Sequence, residues 1–387
     1  ILDDPSLDGI GAVLFDEFHE RSLDTDLGLA LALDTQKALR EDLRILVMSA
    51  TLDGARVASL LDGAPVIKSE GRAFPVETRY LGRDASRRIE DQVTDAIGRA
   101  VRAERGSLLV FLPGQGEIKR VEERLAGTVA DPDIVIAPLY GAMDISAQDR
   151  AVEPAPPGKR KIVLATAIAE TSLTIEGVRV VIDSGLQRVP RFEPDAGVTR
   201  LETVRVSRAS ADQRRGRAGR TELGVCYRLW DEPQTVSLRP FTEPEILSAD
   251  LSGLLLDLAE WGVTDPSTLS WLDPPPSSAI MAAREELQTI GALESDGRIT
   301  AEGRRIRALP LPPRLARMVR AARSLQAAEL AAILVERGLG GNDTDLEHAE
   351  PKICAASRAS GRRRPVRRPR PATTASPIYL RSPIPTA

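Results

Sequence analysis

The run Phe15-Asp16-Glu17-Phe18-His19-Glu20-Arg21 follows directly on a short apolar stretch, residues 12–15. Paired carboxylates at the C-terminal end of a strand sit where α/β sheets bind their ligands. One carboxylate can hold a divalent cation through water while the other orients or deprotonates an attacking water. By itself an Asp-Glu pair is more often a solvated acidic loop, so Asp16, Glu17 and His19 need further support. Ser49-Ala50-Thr51 follows a second apolar stretch, and two hydroxyls at a strand-to-helix turn have a plain use as helix caps. Thr166, Thr171, Ser172 and Thr174 crowd into residues 165–175 behind a third stretch. Such a loop can hold phosphate oxygens without reading bases, or simply cap a helix. In Gln213-Arg214-Arg215-Gly216-Arg217-Ala218-Gly219-Arg220, an α-helix would place Gln213, Arg217 and Arg220 at i, i+4 and i+7, on one face. One amide and two guanidiniums on one face suit a polyphosphate. A solvated basic helix, or an Arg-Gly segment that binds RNA loosely, fits the same residues.

The elements that must position these groups are legible as short apolar runs at residues 12–15, 45–48, 108–112, 134–137, 162–165, 178–182 and 225–229. Each has the length of a buried strand. Between several of them lie helical patterns: Ile89, Val93, Ile97 and Val101 recur every four residues, and Ile118, Val121 and Leu125 fall at i, i+3 and i+7. Strands alternating with helices imply an α/β chain with a parallel sheet covered on both faces. The pattern changes near Asp231. Leu251, Leu254, Leu255 and Leu258 form one apolar face, Asp273-Pro274-Pro275-Pro276 breaks the chain, and a helix follows over residues 277–290. A turn-rich piece at 291–300 predicts a small hairpin, and a further helical stretch spans 313–337. Helix, helix and hairpin together fit a winged-helix module.

The chain has 387 residues, about two to three domains at roughly 150 residues each. Hydrophobic residues make up 42% and charged residues 28%, which is ordinary globular composition. Two cysteines exclude a disulfide scaffold, and two histidines argue against a His-based metal centre. No apolar run approaches the length of a membrane span, and no secretory signal is visible. The net charge of −4 hides an acidic body and a basic end, because residues 351–387 hold Lys352 and arginines but no acidic side chain. That Pro- and Arg-rich end lacks periodicity, and the expectation is disorder.

In this order and spacing the four motifs resemble those of superfamily 2 helicases. The set is similar to the DEAH/RHA group, with Asp-Glu-Phe-His in place of Asp-Glu-Ala-His. Within that group, residues 15–34, 108–114 (LLVFLPG), 138–141 (PLYG) and 183–194 (DSGLQRVPRFEP) look like the bacterial HrpB-type ATP-dependent helicases. The resemblance extends over roughly residues 1–345. It implies tandem RecA-like parallel-sheet domains, the first truncated, followed by winged-helix and helical regions. The implied boundaries are 1–70 for the end of RecA-like domain 1, 71–231 for RecA-like domain 2, 232–307 for the winged-helix region and 308–345 for the start of a helical domain. Residues 346–387 remain as a basic tail, where the family would continue as a folded domain. Such a turn to Arg, Pro, Ala and Ser is what a GC-rich gene gives when read out of frame, so the tail is expected to be non-native.

The resemblance also implies roles. Asp16 would hold Mg²⁺ through water, and Glu17 would be the catalytic base or water-positioning residue. His19 would couple the nucleotide site to motion, and Ser49 and Thr51 would link hydrolysis to strand separation. Gln213 would face the attacking water, and Arg217 and Arg220 would be arginine fingers on the γ-phosphate, worth ~10³ to 10⁵ in rate. Thr166, Thr171, Ser172 and Thr174 would touch the nucleic-acid backbone, and residues 188–206 would form the strand-separating hairpin. The implied cofactors are ATP and Mg²⁺. The implied partner is RNA, or DNA, as single strand or duplex, in the bacterial cytoplasm and with no membrane. No protein partner follows.

Three departures stand out. No Gly-x-x-x-x-Gly-Lys-Ser/Thr occurs; the one Gly-Lys pair, Gly158-Lys159, is followed by Arg160 in a Pro-rich loop. The resemblance places that phosphate loop N-terminal to Ile1, so the chain is expected to be a fragment. Val152 stands where many DEAH members have an adenine-stacking Phe, and Ala167 stands where the family has Asn or Ser. These departures keep a second reading open, an ATPase-dead module that only binds nucleic acid. The first sheet, lacking its other strands, is expected to leave an edge of strand 12–15 unpaired.

Overall fold

The computed structural model describes residues 1–50, 54–69, 74–128, 131–170, 175–194, 197–322, 324–337 and 378–381. The chain divides into two compact units: Ile1–Met48, Phe192–Arg200 and Pro244–Ala387 form the first, and Ser49–Arg191 with Leu201–Glu243 form the second.

The first unit opens with β1 (Ile10–Phe15), α1 (Leu23–Ala38) and β2 (Arg44–Val47). β1 and β2 are parallel, with Val13 opposite Ile45 and Leu14 opposite Leu46. Ser22 caps α1 by accepting from the Thr25 amide, and Asp24 and Asp26 in the first turn complement the helix dipole. α1 is buried over most of its surface, including Leu27, Leu29, Ala30, Leu31 and Leu33. Gly28 lets the helix sit close to the sheet, since a Cβ there would lie 3.3 Å from the Phe15 ring.

The second unit contains α2 (Gly54–Leu60), β3 (Val76–Tyr80), α3 (Ile89–Ala103), β4 (Ser107–Phe111), α4 (Gln115–Thr128), β5 (Ile134–Leu139), α5 (Ile145–Val152), β6 (Arg160–Ala165) and β7 (Val178–Asp183). The hairpin strands β8 (Leu186–Glu193) and β9 (Val198–Arg205) come next, with residues to Arg191 and from Leu201 in this unit and Phe192–Arg200 counted with the first. α6 (Arg208–Gly216) and β10 (Gly224–Arg228) follow. Six strands pair in the order β3-β10-β7-β4-β6-β5, and all five pairings are parallel. Successive residues of a strand point to opposite faces. Accordingly Leu108, Val110, Ile162, Leu164, Val180 and Ile182 pack with α3 and α4 through Val93, Ile97, Ile118, Val121 and Leu125. Leu109, Phe111, Val163, Ala165 and Val181 line the opposite face with Ala218 and Cys226. The parallel α/β architecture read from the apolar runs is therefore the architecture found.

The first unit resumes with α7 (Ser252–Trp261), α8 (Ser277–Thr289), α9 (Ala301–Arg307), α10 (Pro313–Ala322) and α11 (Leu325–Arg337). Gly262, at φ 93°, ends α7 in the left-handed conformation that glycine adopts most easily. Between α8 and α9, Leu293 and Ile299 form one antiparallel bridge, the expected hairpin in its shortest form. One core joins α1 to this helical region: Leu27, Ala30 and Leu31 pack with Leu254, Leu255, Leu258, Ala283 and Leu287. Trp261 Nε1 donates to Asp34 on α1 at 2.8 Å. The α/β piece of β1, α1 and β2 thus shares its core with this helical region.

Within the basic tail, the described residues Ile378–Arg381 form β11, antiparallel to β1. The sequence reading expected no element there, and expected the edge of β1 to be open. Unpaired strand groups recruit any extended apolar segment in reach, and Ile378-Tyr379-Leu380 is one. No helix among the described residues is long and apolar enough to cross a membrane.

Leu258 is 0% exposed at the centre of the shared core, whereas Leu325 is 74% exposed. Leu258→Ala is expected to destabilise the first unit by about 2–5 kcal/mol and Leu325→Ala by less than about 0.5 kcal/mol, as read by urea denaturation.

Candidate functional site

In the first unit the acidic loop leaves the C-terminal end of β1, and Phe18–Glu20 forms a single 3-10 turn. The turn is flanked by two non-glycine residues in the left-handed region, Glu17 at φ 49° and Arg21 at φ 52°. Such conformations are costly for residues with a Cβ and persist only where the surroundings over-determine them. Here the surroundings are specific. The Phe18 amide donates to the Met48 carbonyl at 3.0 Å, beside β2. The fully buried Phe18 ring meets Phe15 edge-on at 6.5 Å between centroids. Arg21, 5% exposed, grips Asp26 with two donors at 3.1 Å each and Asp273 at 2.7 Å. Burial pushes the Asp26 carboxyl up from its ordinary value, and Arg21 offsets only part of that. Asp16 accepts from the Glu17 amide at 2.8 Å, and the His19 ring stands 3.5 Å from the Glu17 carboxylate. The loop therefore brings Asp16, Glu17 and His19 together, with Asp16 exposed and Glu17 partly exposed.

In the second unit, Ser207 caps α6 by accepting from the Ser210 amide. The helix ends at Gly216 and passes into a 3-10 turn, Arg217–Gly219. The common face expected for Gln213, Arg217 and Arg220 was drawn for continuous α geometry; the 3-10 turn keeps Arg217 and Arg220 at an eclipsing spacing, and the three differ in exposure. Gln213 is half-buried and Arg220 exposed, while Arg217 is 7% exposed and donates to the Glu170 carbonyl. Gly219 permits a close crossing, since a Cβ there would lie 2.5 Å from the Phe74 carbonyl oxygen.

The chief residue missed by the sequence reading is Arg214, 1% exposed. It donates to Glu170 at 2.7 Å, to Asp183 at 2.8 Å and to the Leu186 carbonyl at 3.2 Å. Its guanidinium also lies 4.9 Å from the Phe111 ring centroid. Burial works against the charge, but Glu170 and Asp183 more than offset it and raise its pKa. In the sequence only the run of arginines marked this position. Glu170, which also accepts from Ser210 at 2.6 Å, was passed over in a stretch read for its hydroxyls.

The hydroxyl residues are placed unevenly. Thr166 follows β6 and precedes a 3-10 turn, Ala167–Ala169, but its side chain makes no cap hydrogen bond. Ser49 is exposed two residues after β2. Thr51, Thr171, Ser172 and Thr174 lie outside the described residues. Gly158-Lys159 sits in a turn, where Lys159 Nζ donates to the Pro132 carbonyl at 3.3 Å; it is not a phosphate loop. Among the described residues no group of three or more His, Cys, Asp or Glu could hold a metal ion directly.

Residues 90–222 match the helicase conserved C-terminal domain, and residues 283–311 match the helicase-associated (HA2) winged-helix domain. The chain is 52% identical over 343 residues to the ATP-dependent RNA helicase HrpB of Escherichia coli K12, a match covering 88% of this chain and 42% of that protein. Among solved structures, the Escherichia coli DExH-box NTPase HrpB superposes with a TM-score of 0.77 at 48% identity, over 92% of this chain and 45% of the other. A crystal structure of the Escherichia coli DEAH/RHA helicase HrpB gives 0.81 at 48% identity, over 94% and 48%. The chain thus spans less than half the length of these relatives.

Cys226 lies in the core of the second unit, where burial pushes its thiol pKa up to about 12. The folded thiol keeps its proton to that pH, whereas the unfolded one loses it at its ordinary value near 9, so the group's contribution to stability declines as pH rises above about 9. Iodoacetamide at pH about 9 is expected to leave Cys226 unmodified until the second unit is unfolded, as read by peptide mass spectrometry.

Proposed function

Because the chain belongs to the DEAH/RHA group of superfamily 2 helicases, we propose that the protein carrying these residues couples ATP hydrolysis to movement along RNA. The observation that carries this reading is the loop at the end of β1, where Glu17 is held in a strained left-handed conformation beside Asp16 and His19. Strain of this kind is maintained where a side chain must be aimed.

The residues present fit one part of a Mg-ATP site. Asp16 is exposed at the end of a parallel strand, where it would hold magnesium through water. Magnesium held there would supply charge neutralisation to the transferring phosphoryl group. Glu17 would orient or deprotonate the attacking water. His19, 3.5 Å from Glu17, would sense its state. By the family resemblance, Gln213 would face an attacking water, and Arg217 and Arg220 would stabilise a γ-phosphate. Ser49 and Thr51 would transmit hydrolysis to strand separation. Thr166, Thr171, Ser172 and Thr174 would follow the nucleic-acid backbone, which makes binding largely sequence-independent and salt-sensitive. The hairpin β8–β9 would part the strands, and the setting would be the bacterial cytoplasm.

A second reading concerns the 387 residues on their own. Their sequence holds no Gly-x-x-x-x-Gly-Lys-Ser/Thr, and its one Gly-Lys pair, Gly158-Lys159, is followed by Arg160. On that reading the isolated chain binds RNA and turns over no ATP.

Three measurements test the proposal. In the full-length protein, Arg217→Ala is expected to cut RNA-stimulated ATP turnover by ~10³-fold or more while leaving RNA affinity nearly unchanged. Equal loss of both would identify a basic RNA-binding segment instead. Turnover by the 387 residues alone, abolished by Glu17→Gln, would overturn the binding-only reading of the isolated chain.

A further inference from the structure

We propose that Arg214 is the positioning residue that ties the nucleic-acid loop after β6, the root of the β8–β9 hairpin and the nucleotide-facing segment of α6 into one mechanical unit. This rests on the helicase reading above and names a means of coupling within it.

The geometry assigns each partner of Arg214 to a different functional segment. Glu170, bound at 2.7 Å, immediately precedes Thr171 and Ser172. Asp183, bound at 2.8 Å, ends β7, and the Leu186 carbonyl, bound at 3.2 Å, begins the hairpin. Arg214 itself sits between Gln213 and Arg217. Two further bonds close the cluster: Ser210 of α6 donates to the second Glu170 oxygen at 2.6 Å, and Arg217 donates to the Glu170 carbonyl. A planar guanidinium reaches three acceptors in fixed directions, which the single ammonium of lysine does not reproduce.

Stability alone does not account for this cluster. Buried ion groups are often no better than apolar packing of the same volume. This one also leaves the second Asp183 carboxylate oxygen buried without a hydrogen-bond partner. Hydrogen-bond and ion-pair networks that join separate segments are one route by which coupling between sites is carried.

The test uses the full-length protein with Glu170→Gln, which keeps the side chain's shape and removes its charge, and with Arg214→Lys. Basal and poly(U)-stimulated ATP turnover, poly(U) affinity by fluorescence anisotropy, and thermal unfolding are measured for each. In folded variants, basal turnover and RNA affinity are expected to stay within about twofold of wild type, while the stimulated-to-basal ratio falls by about tenfold. An unchanged ratio in a folded variant, basal and stimulated turnover falling by the same factor, or failure of both variants to fold would each overturn the proposal. A wild-type protein that RNA does not stimulate would remove the helicase reading and this inference with it. A stimulated wild type with equally stimulated variants would remove this inference alone.

Discussion

Taking a guanidinium out of water is affordable only when carboxylates and carbonyls meet its donors, and each unit of this chain contains a buried guanidinium held by two carboxylates. Arg21 is held by Asp26 and Asp273, and Arg214 by Glu170 and Asp183. Removing one partner from a buried pair costs about 3–5 kcal/mol because it strands a charge. That penalty fixes the surrounding backbone far more tightly than a solvated ion pair of about 0–1 kcal/mol would. In both units the segment so fixed bears candidate catalytic side chains.

The two arginines reach their partners differently. Asp26 comes from the first turn of α1, five residues from Arg21, but Asp273 lies 252 residues along the chain, in the Pro-rich break before α8. Glu245 adds to the same junction: its carboxylate accepts from the Leu23 amide at 2.9 Å, and its amide donates to the Arg21 carbonyl at 3.1 Å. The acidic loop is therefore braced by the helical region that shares its core, which is why the first unit combines residues so distant in sequence. Arg214 instead binds Asp183 at the C-terminal end of β7 and Glu170 in the segment after β6, two parallel strands separated by β4, at the end of the sheet where α/β proteins place their ligands. There the brace and the candidate residues Gln213, Arg217 and Arg220 belong to one short stretch of chain.

Legibility in the sequence followed burial. β4, β6, β7 and β10 have buried runs, and their apolar stretches marked them directly. β3, Val76-Glu77-Thr78-Arg79-Tyr80, is an edge strand whose outward positions carry charge, so it gave no apolar run. α1 escaped notice for the opposite reason: it is buried nearly all round and lacks the one-sided stripe that a period of 3.6 reveals. At the site, the Asp16-Glu17 pair and the arginine segment were visible as residue types at a spacing. The left-handed turns at Glu17 and Arg21 were not, because they are imposed by partners far along the chain. Arg214 was hidden because an arginine run reads as solvated surface, and nothing in a single sequence says which member faces inward.

The two arginines that the resemblance treats as a pair lie in different surroundings. They are three residues apart across a 3-10 turn, the spacing at which side chains eclipse. Arg217 is nevertheless buried against the Glu170 carbonyl, whereas Arg220 is exposed. Gly219 makes the turn possible by letting the chain cross Phe74 at a distance no Cβ would tolerate. Arg217 thus shares Glu170 with Arg214, so a movement that frees one guanidinium alters the acceptors of the other. Gly219, by allowing that crossing, thus helps set the position from which Arg217 shares Glu170 with Arg214.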